Sequence, residues 1–416
     1  MASYPEKTIL LIDMNSYFAS VEQVCNPGLQ NKPVVVCGRG RTVVVTASYE
    51  AREYGIKTGM TIPEAKKLCS SVKIVHANLD KYIDTSLKIH KIFLDFTDRV
   101  EVFSIDECFM DVTDVQNRFG GAENIAVAIK RRLKNDFGLT CSIGIGPNKV
   151  IAKLAAKMKK PDGLIIVRQS DVHCFLKELP VEKMQGIGIG RQLSEKLKKL
   201  GINTAAELGA ASSMLLTACF GIMGHVYKNI GLGIDYSPVK SYYDKPPVKS
   251  VGHSYTFPRD TKDVEVIKSY FLMLSEKVGV RLRDYKMSCK TICIFVRFFD
   301  FSHVMKRKTY QNYFNSGLEI FKKTVELFGK NLLPLSKKVR LVGVSVSGLY
   351  KITTQGYLLE KPQKTQNLIK TVDEINSKYG EFTIKPLSMK IAENFGILDR
   401  CGVLGSRTWK SSKYND

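Results

Sequence analysis

Short apolar runs, broken by glycine, proline and acids, open the chain. "TILLI" (8–12) ends at Asp13 and reads as a buried strand with a carboxylate at its C-terminal end. "NSYFASVEQVCNP" (15–27) has helical spacing and stops near Pro27. "PVVVCGRGRTVVVTA" (33–47) reads as two Val-rich strands around a Gly-Arg turn, and "SYEAREYGIKTGM" (48–60) as a short helix with Gly55 at its C-cap. Helical pattern resumes over 78–98, and 100–113 reads as strand, turn, strand, with Asp106 and Glu107 adjacent inside it. An amphipathic helix (121–138) and the strand "LTCSIGIG" (139–146) follow. The helix "NKVIAKLAAKMKK" (148–160) stops at Pro161, before the strand "GLIIV" (163–167).

This mixture predicts an α+β fold whose sheet carries helices on one side. From 170 to 235 the pattern turns helical around "MQGIGIGRQLSEKLKKLGI" (184–202). "YSPVKSYYDKPPVKS" (236–250) is rich in Pro, Tyr and Lys and reads as a linker. Strands and helices alternate again over 251–349, and the remainder is polar with one helical stretch and a basic end.

Charge changes the picture. The 416 residues hold 63 Lys and Arg against 40 Asp and Glu, a net +23. An excess of this size speaks of polyanionic partners, nucleic acid first. The apolar runs are too short to span a bilayer, and "MASYPEKT" lacks an export pattern. Ten cysteines without a Cys-x-x-Cys pair read as the reduced thiols of a cytosolic protein, not as disulfides or a zinc site.

Asp13, Asp106 and Glu107 are the candidate chemistry. If their strands are neighbours, three carboxylates meet at one sheet edge and repel unless a cation neutralises them. An oxygen-only set suits Mg²⁺, and two such ions can clamp a phosphoryl transfer. The alternative is a pair of solvated turn residues. Tyr49 and Arg52, at i, i+3, share a helix face on which an arginine fork can meet phosphate, unless Arg52 is only a surface residue. Lys149, Lys153, Lys157 and Lys160 line one face of the 148–160 helix, either against a polyanion or simply solvated. The glycines of "GIGIG" (186–190) would let backbone amides approach a phosphate at the turn of a two-helix hairpin.

"LLIDMNSYFASVEQ", "VVVTASYEAREYGIKTGM", "SIDECFMDVT", "SIGIGPNKVIAKLAAKMKKPDG" and "GIGIGRQLSEKLKKLGI", in this order, resemble the Y-family DNA polymerases of the UmuC/DinB type over residues 7 to 350. The resemblance implies a right-hand polymerase for translesion synthesis, of bacterial UmuC-like kind. It implies a palm (1–25 and 76–168), fingers (26–75), a helix-hairpin-helix thumb (169–236), a linker (237–250), an α+β little finger (251–350) and a C-terminal tail (351–416). By matching position, Asp13, Asp106 and Glu107, with the Met14 carbonyl, would hold two Mg²⁺ ions, for which Mn²⁺ substitutes. Thr46, Tyr49, Arg52 and Lys160 would contact the incoming dNTP, and Phe18 would be the steric gate against a ribose 2′-hydroxyl. Gly186, Gly188, Gly190 and Lys196 would hold primer–template DNA. Asn15 stands where many members have an acid. "TTQGYLLEKPQ" (353–363) resembles the bacterial sliding-clamp peptide, with Gln355, Leu358 and Leu359 as anchors, the alternative being the last strand or linker of the little finger, and "TVDEINSKYGEFTI" (371–384) resembles the tail that follows it in UmuC-like proteins. The implied whole is a low-fidelity, cytoplasmic, monomeric bacterial enzyme.

Overall fold

The computed structural model describes residues 7–244, 246–351 and 360–396. They divide near residue 245 into two compact units. In the first unit, β1 (Ile9–Met14) leads into α1 (Tyr17–Cys25). Next come β2 (Val34–Cys37), β3 (Val44–Ala47), α2 (Tyr49–Glu53), α3 (Ile62–Leu68) and β4 (Lys73–His76). Then follow α4 (Leu79–Leu94), β5 (Val100–Val102), β6 (Glu107–Asp111), α5 (Ala122–Phe137), β7 (Cys141–Gly146), α6 (Lys149–Met158) and β8 (Leu164–Ile166).

A five-stranded sheet, ordered β5-β6-β1-β7-β8, organises this unit. β1 at its centre runs antiparallel to both neighbours, β6 and β7, although neither is next to it in sequence, while β8 joins β7 in parallel through α6. The expectation of helices on one side is wrong. Leu10 and Ile12 pack with Ile89 and Phe93 of α4 and Ile125 and Ile129 of α5. Ile9 and Leu11, on the opposite face, pack with Ala152 and Ala156 of α6. Four consecutive apolar residues already imply this, because alternate side chains of a strand point to opposite faces. α6 lies very close to the sheet. A Cβ on Gly144 would sit 2.1 Å from the Ala152 carbonyl oxygen, so that position of β7 accepts only glycine.

β2, β3 and β4 form a separate three-stranded sheet over a small core of Val35, Val44, Ala47, Ala51 and Ile56. Ser48 caps α2 by accepting from the Ala51 amide, and Thr61 and Glu64 form a capping box on α3. Beyond β8, α7 (Val172–Lys177), α8 (Arg191–Lys199), α9 (Ala205–Ala210), α10 (Ser213–Phe220) and α11 (Met223–Gly231) build a helical cluster. Its core includes Val150, Ile151, Leu154 and Ala155 of α6, so this one helix is sandwiched between sheet and cluster. The stretch read as a linker lies against the first unit as far as residue 244. Val239 is buried beside Ile9 and Leu11, and the Tyr242 amide donates to the Asp98 carbonyl at 3.1 Å.

The second unit runs β9 (Ser250–Thr261), α12 (Val264–Asp284), β10 (Met287–Phe298), β11 (His303–Phe314), α13 (Gly317–Leu332), β12 (Val339–Ser347) and β13 (Tyr350–Lys351). Its antiparallel sheet is ordered β11-β10-β12-β9, and α12 and α13 share its core. The polar end of the chain is no loose tail where it is described. α14 (Glu360–Tyr379) and α15 (Lys390–Gly396) dock on this unit. Arg283 grips Asp373 through two bonds of 2.5 and 2.7 Å, and Met389 and Ala392 are buried in the core. Few apolar residues among many charges hid that docking from the hydropathy pattern. Gln355, Leu358 and Leu359 lie outside the described residues.

Candidate active site

Strand register brings the three acids to one edge. Asp13, next to last in β1, faces Glu107, the first residue of β6. The Met14 amide donates to the Asp106 carbonyl at 2.9 Å, which staples the turn before β6 to the end of β1. Within that turn the Phe103 and Ser104 amides both donate to the Glu107 carbonyl at 3.0 Å. Ser104 Oγ donates to Asp106 Oδ1 at 2.5 Å, and Ser86 Oγ, from α4, holds the Ile105 carbonyl at 2.7 Å. Asn15 is structural. Its amide nitrogen donates to Thr140 Oγ1 at 2.9 Å and its oxygen accepts from Ser142 Oγ at 3.0 Å, which ties β1 to β7. An aspartate there would lack the donor half of this exchange.

These carboxylates are costly to keep charged. Burial pushes Asp13 up from 3.8 to about 7; the Lys160 ammonium opposes the rise, and Glu107 and Asp106 reinforce it. Burial also raises Asp106, against the hydrogen bond from Ser104. Two lysines neutralise the edge: Lys160 Nζ lies 2.5 Å from Asp13 Oδ2, and Lys153 Nζ 2.8 Å from Glu107 Oε2. Lys153 is only 4% exposed, and its ammonium stands 3.9 Å over the Phe103 ring.

The lysine face of α6 is therefore neither solvated nor wholly free for a polyanion. Lys149 bonds Glu101 at 3.0 Å and the Pro238 carbonyl at 3.0 Å, and Lys157 donates to the Gln185 carbonyl. Burial lowers the Lys157 pKa. Only Lys160 of the four reaches Asp13. The i+4 spacing gave the common face, but the acids that consume it come from other elements.

Among the described residues no three of His, Cys, Asp and Glu form a ready cation cage. The donor chemistry nevertheless fits a hard divalent cation, because the edge offers oxygen alone and its carboxylates are buried like charges.

Tyr49 and Arg52 do share one face. The Arg52 guanidinium lies 4.7 Å from the Tyr49 ring centroid, and its Nε donates to the Ala47 carbonyl at 3.0 Å. Thr46 immediately precedes Ala47 in β3. Phe18, half-buried in the first turn of α1, stacks on Tyr82 with centroids 4.3 Å apart and planes at 13°. Tyr82 was not singled out in the sequence, since an aromatic at helical spacing looks like ordinary core.

In the "GIGIG" turn, Gly186 and Gly188 have φ of 86° and 102°, a backbone that favours glycine. Gly190 caps α8, and Lys196 projects from that helix, exposed. What precedes the turn is a 3-10 turn over Val181–Met184 rather than a full α-helix. α10 and α11 make a second hairpin, through Gly221.

Residues 12–157 match the model of the impB/mucB/samB family, and residues 248–358 that of its C-terminal domain. The chain is similar to a DNA polymerase IV of Moorella thermoacetica, 38% identical over 382 residues that cover 91% of this chain and 94% of that protein. DNA polymerase IV 1 of Bacillus subtilis is 36% identical over 390 residues, 91% of this chain and 92% of that protein. Among solved structures, the Y-family DNA polymerase chimera Dbh-Dpo4(243-245)-Dbh aligns with a TM-score of 0.74 and 28% identity, covering 83% of this chain and 100% of that one.

Proposed function

Because the chain belongs to the impB/mucB/samB family of Y-family DNA polymerases, and is a DNA-directed DNA polymerase with their α+β fold, we propose that its chemistry is phosphoryl transfer to a primer 3′-hydroxyl at the Asp13–Asp106–Glu107 edge. The observation that carries this is the facing of Asp13 and Glu107 across β1 and β6, with Asp106 next in the chain. Translesion synthesis is the family's activity, and low fidelity is our reading of a fingers region built on two short helices and a three-stranded sheet.

The five-stranded sheet is the palm, the small three-stranded sheet the fingers, the helical cluster the thumb, and the second unit the little finger. Asp13, Asp106, Glu107 and the Met14 carbonyl would hold two Mg²⁺ ions, or Mn²⁺ in their place, which when bound acidify the primer hydroxyl and neutralise triphosphate charge. Lys160 and Arg52 bind the triphosphate and offset charge gathering on the leaving pyrophosphate, with Tyr49 and Thr46 beside them. Lys160 therefore exchanges Asp13 for the nucleotide. Lys153 keeps Glu107 in place. Phe18 rejects a ribose by contact with its 2′-hydroxyl. The backbone at Gly186, Gly188 and Gly190, with Lys196, takes DNA phosphates, and this contact weakens with salt.

The shared name DNA polymerase IV supports the DinB type, whereas the UmuC-like subtype rests on the tail alone. Among the described residues no helix is long and apolar enough to cross a membrane. A bacterial cytoplasmic monomer, touching a sliding clamp through Gln355, Leu358 and Leu359, completes the proposal.

Primer extension and DNA affinity, measured side by side, test it. Asp106→Asn and Glu107→Gln should each abolish extension while anisotropy shows DNA affinity within about twofold. Extension at the wild-type rate by either variant refutes the assignment.

A further inference from the structure

A steric gate works only if its ring stays put. The volume at issue is a single hydroxyl, so a shift of about an ångström in an aromatic wall would admit a ribonucleotide. What holds Phe18 is therefore part of the selectivity.

The Phe18 ring lies flat on Tyr82, which is fully buried near the start of α4. Tyr82 is fixed at both ends. Its hydroxyl donates to Glu22 Oε1 at 2.7 Å, and its carbonyl accepts from the Tyr17 hydroxyl at 2.7 Å. Glu22 is itself 6% exposed, and its other oxygen accepts from Lys81 Nζ at 2.7 Å. Phe18 and Glu22 stand four apart on α1, on one helix face. One helix thus holds the same tyrosine twice, by a stacked ring at Phe18 and by a carboxylate at Glu22. Phe18 cannot retreat unless Tyr82 moves, and Tyr82 cannot move without taking its hydroxyl from a buried charged acceptor. Such a bond is among the stronger hydrogen bonds, and leaving it unmade is expensive.

We propose that Glu22, acting through the Tyr82 hydroxyl, is a positioning residue that sets how strictly this polymerase excludes ribonucleotides. The inference rests on the reading of Phe18 as the gate. Neither Glu22 nor the Tyr82 hydroxyl touches substrate; their effect is on the stiffness of the wall that does.

The test compares kcat/KM for a dNTP and the matching rNTP in the full-length protein. Tyr82→Phe keeps the ring and removes only the bond; Glu22→Gln keeps the size and removes the charge. Tyr82→Phe should lower the dNTP/rNTP ratio about tenfold by raising rNTP use, and Glu22→Gln, whose amide oxygen still accepts from the hydroxyl but without the charge, about threefold, each with dNTP kcat/KM within about twofold. The double variant should match Tyr82→Phe alone, because without the hydroxyl Glu22 has nothing left to hold. In a Phe18→Ala background the Tyr82→Phe change should have no further effect. If Phe18→Ala itself leaves discrimination intact, the gate reading fails. If Phe18→Ala relaxes it while Tyr82→Phe and Glu22→Gln keep the wild-type ratio, the present inference is overturned. Equal loss for both nucleotides, with a lowered melting temperature, also overturns it, since that is the signature of a role in folding only.

Discussion

Replacing Lys153 by Met removes a buried cation while nearly preserving volume. The ammonium lies 2.8 Å from Glu107 Oε2, with side chains 5% and 16% exposed. At an effective dielectric of about 20 their attraction is roughly 6 kcal/mol before desolvation is subtracted. Breaking one partner of such a pair costs about 3–5 kcal/mol, because the other charge stays buried and alone. The contact over the Phe103 ring adds about 1 kcal/mol. For a unit of this size each kcal/mol shifts the melting temperature by roughly 2–4 °C, so a fall of about 8 °C or more follows. Thermal and urea unfolding in metal-free buffer measure it. Glu107→Gln combined with Lys153→Met should recover about 2 kcal/mol of that loss, since a neutral amide no longer needs the cation. Costs of the two changes that simply add would refute the pairing as the source of stability, and so would a Lys153→Met cost below about 1 kcal/mol.

His253 gives the second unit a pH dependence. Burial, with Arg281 and Lys277 nearby, lowers its pKa from 6.5 to about 3. The unfolded chain takes up a proton near 6.5 that the folded one refuses, so stability is full above that pH and falls as pH drops, by about 2 kcal/mol at pH 5. Urea midpoints at pH 7 and 5 should show this slope in the wild type and a flatter one in His253→Gln. Gly144→Ala forces a methyl onto the Ala152 carbonyl and should destabilise the first unit by about 3 kcal/mol or more, read as a lost or much earlier melt; a melt within 2 °C of wild type would contradict the close approach of α6. Arg283→Met should cost about 2 kcal/mol and expose residues 364–396 to protease, an effect that Asp373→Asn should reproduce; equal cleavage rates in all three proteins would show the docking contributes nothing.

Local pattern carried most of the elements. The "ILLI" run, the paired Val-rich strands and the amphipathic helix 121–138 each appear as their spacing predicts. Failures came where the deciding partner is distant in sequence. Nothing local to Lys153 says that Glu107 waits 46 residues away, or that Lys149 will meet Glu101. Val239 is a lone aliphatic residue in a polar stretch, too sparse for a periodicity, yet it is buried. Glu22 would look like any surface acid on a helix, and only Lys81 and Tyr82 make it otherwise. The two-faced burial of β1, by contrast, is written in its unbroken apolar run, because no polar residue alternates to mark a solvent face.

α6 packs Ala152 and Ala156 on the sheet and Val150 and Leu154 in the helical cluster, and it carries Lys153 to Glu107. One rod of helix is thus bolted to both layers. Any slippage of the cluster, from whatever it grips, is levered along that rod to the acid edge without a messenger in between. Substitutions inside the cluster's core will therefore register at the Lys153–Glu107 pair and, under the proposed chemistry, as altered turnover.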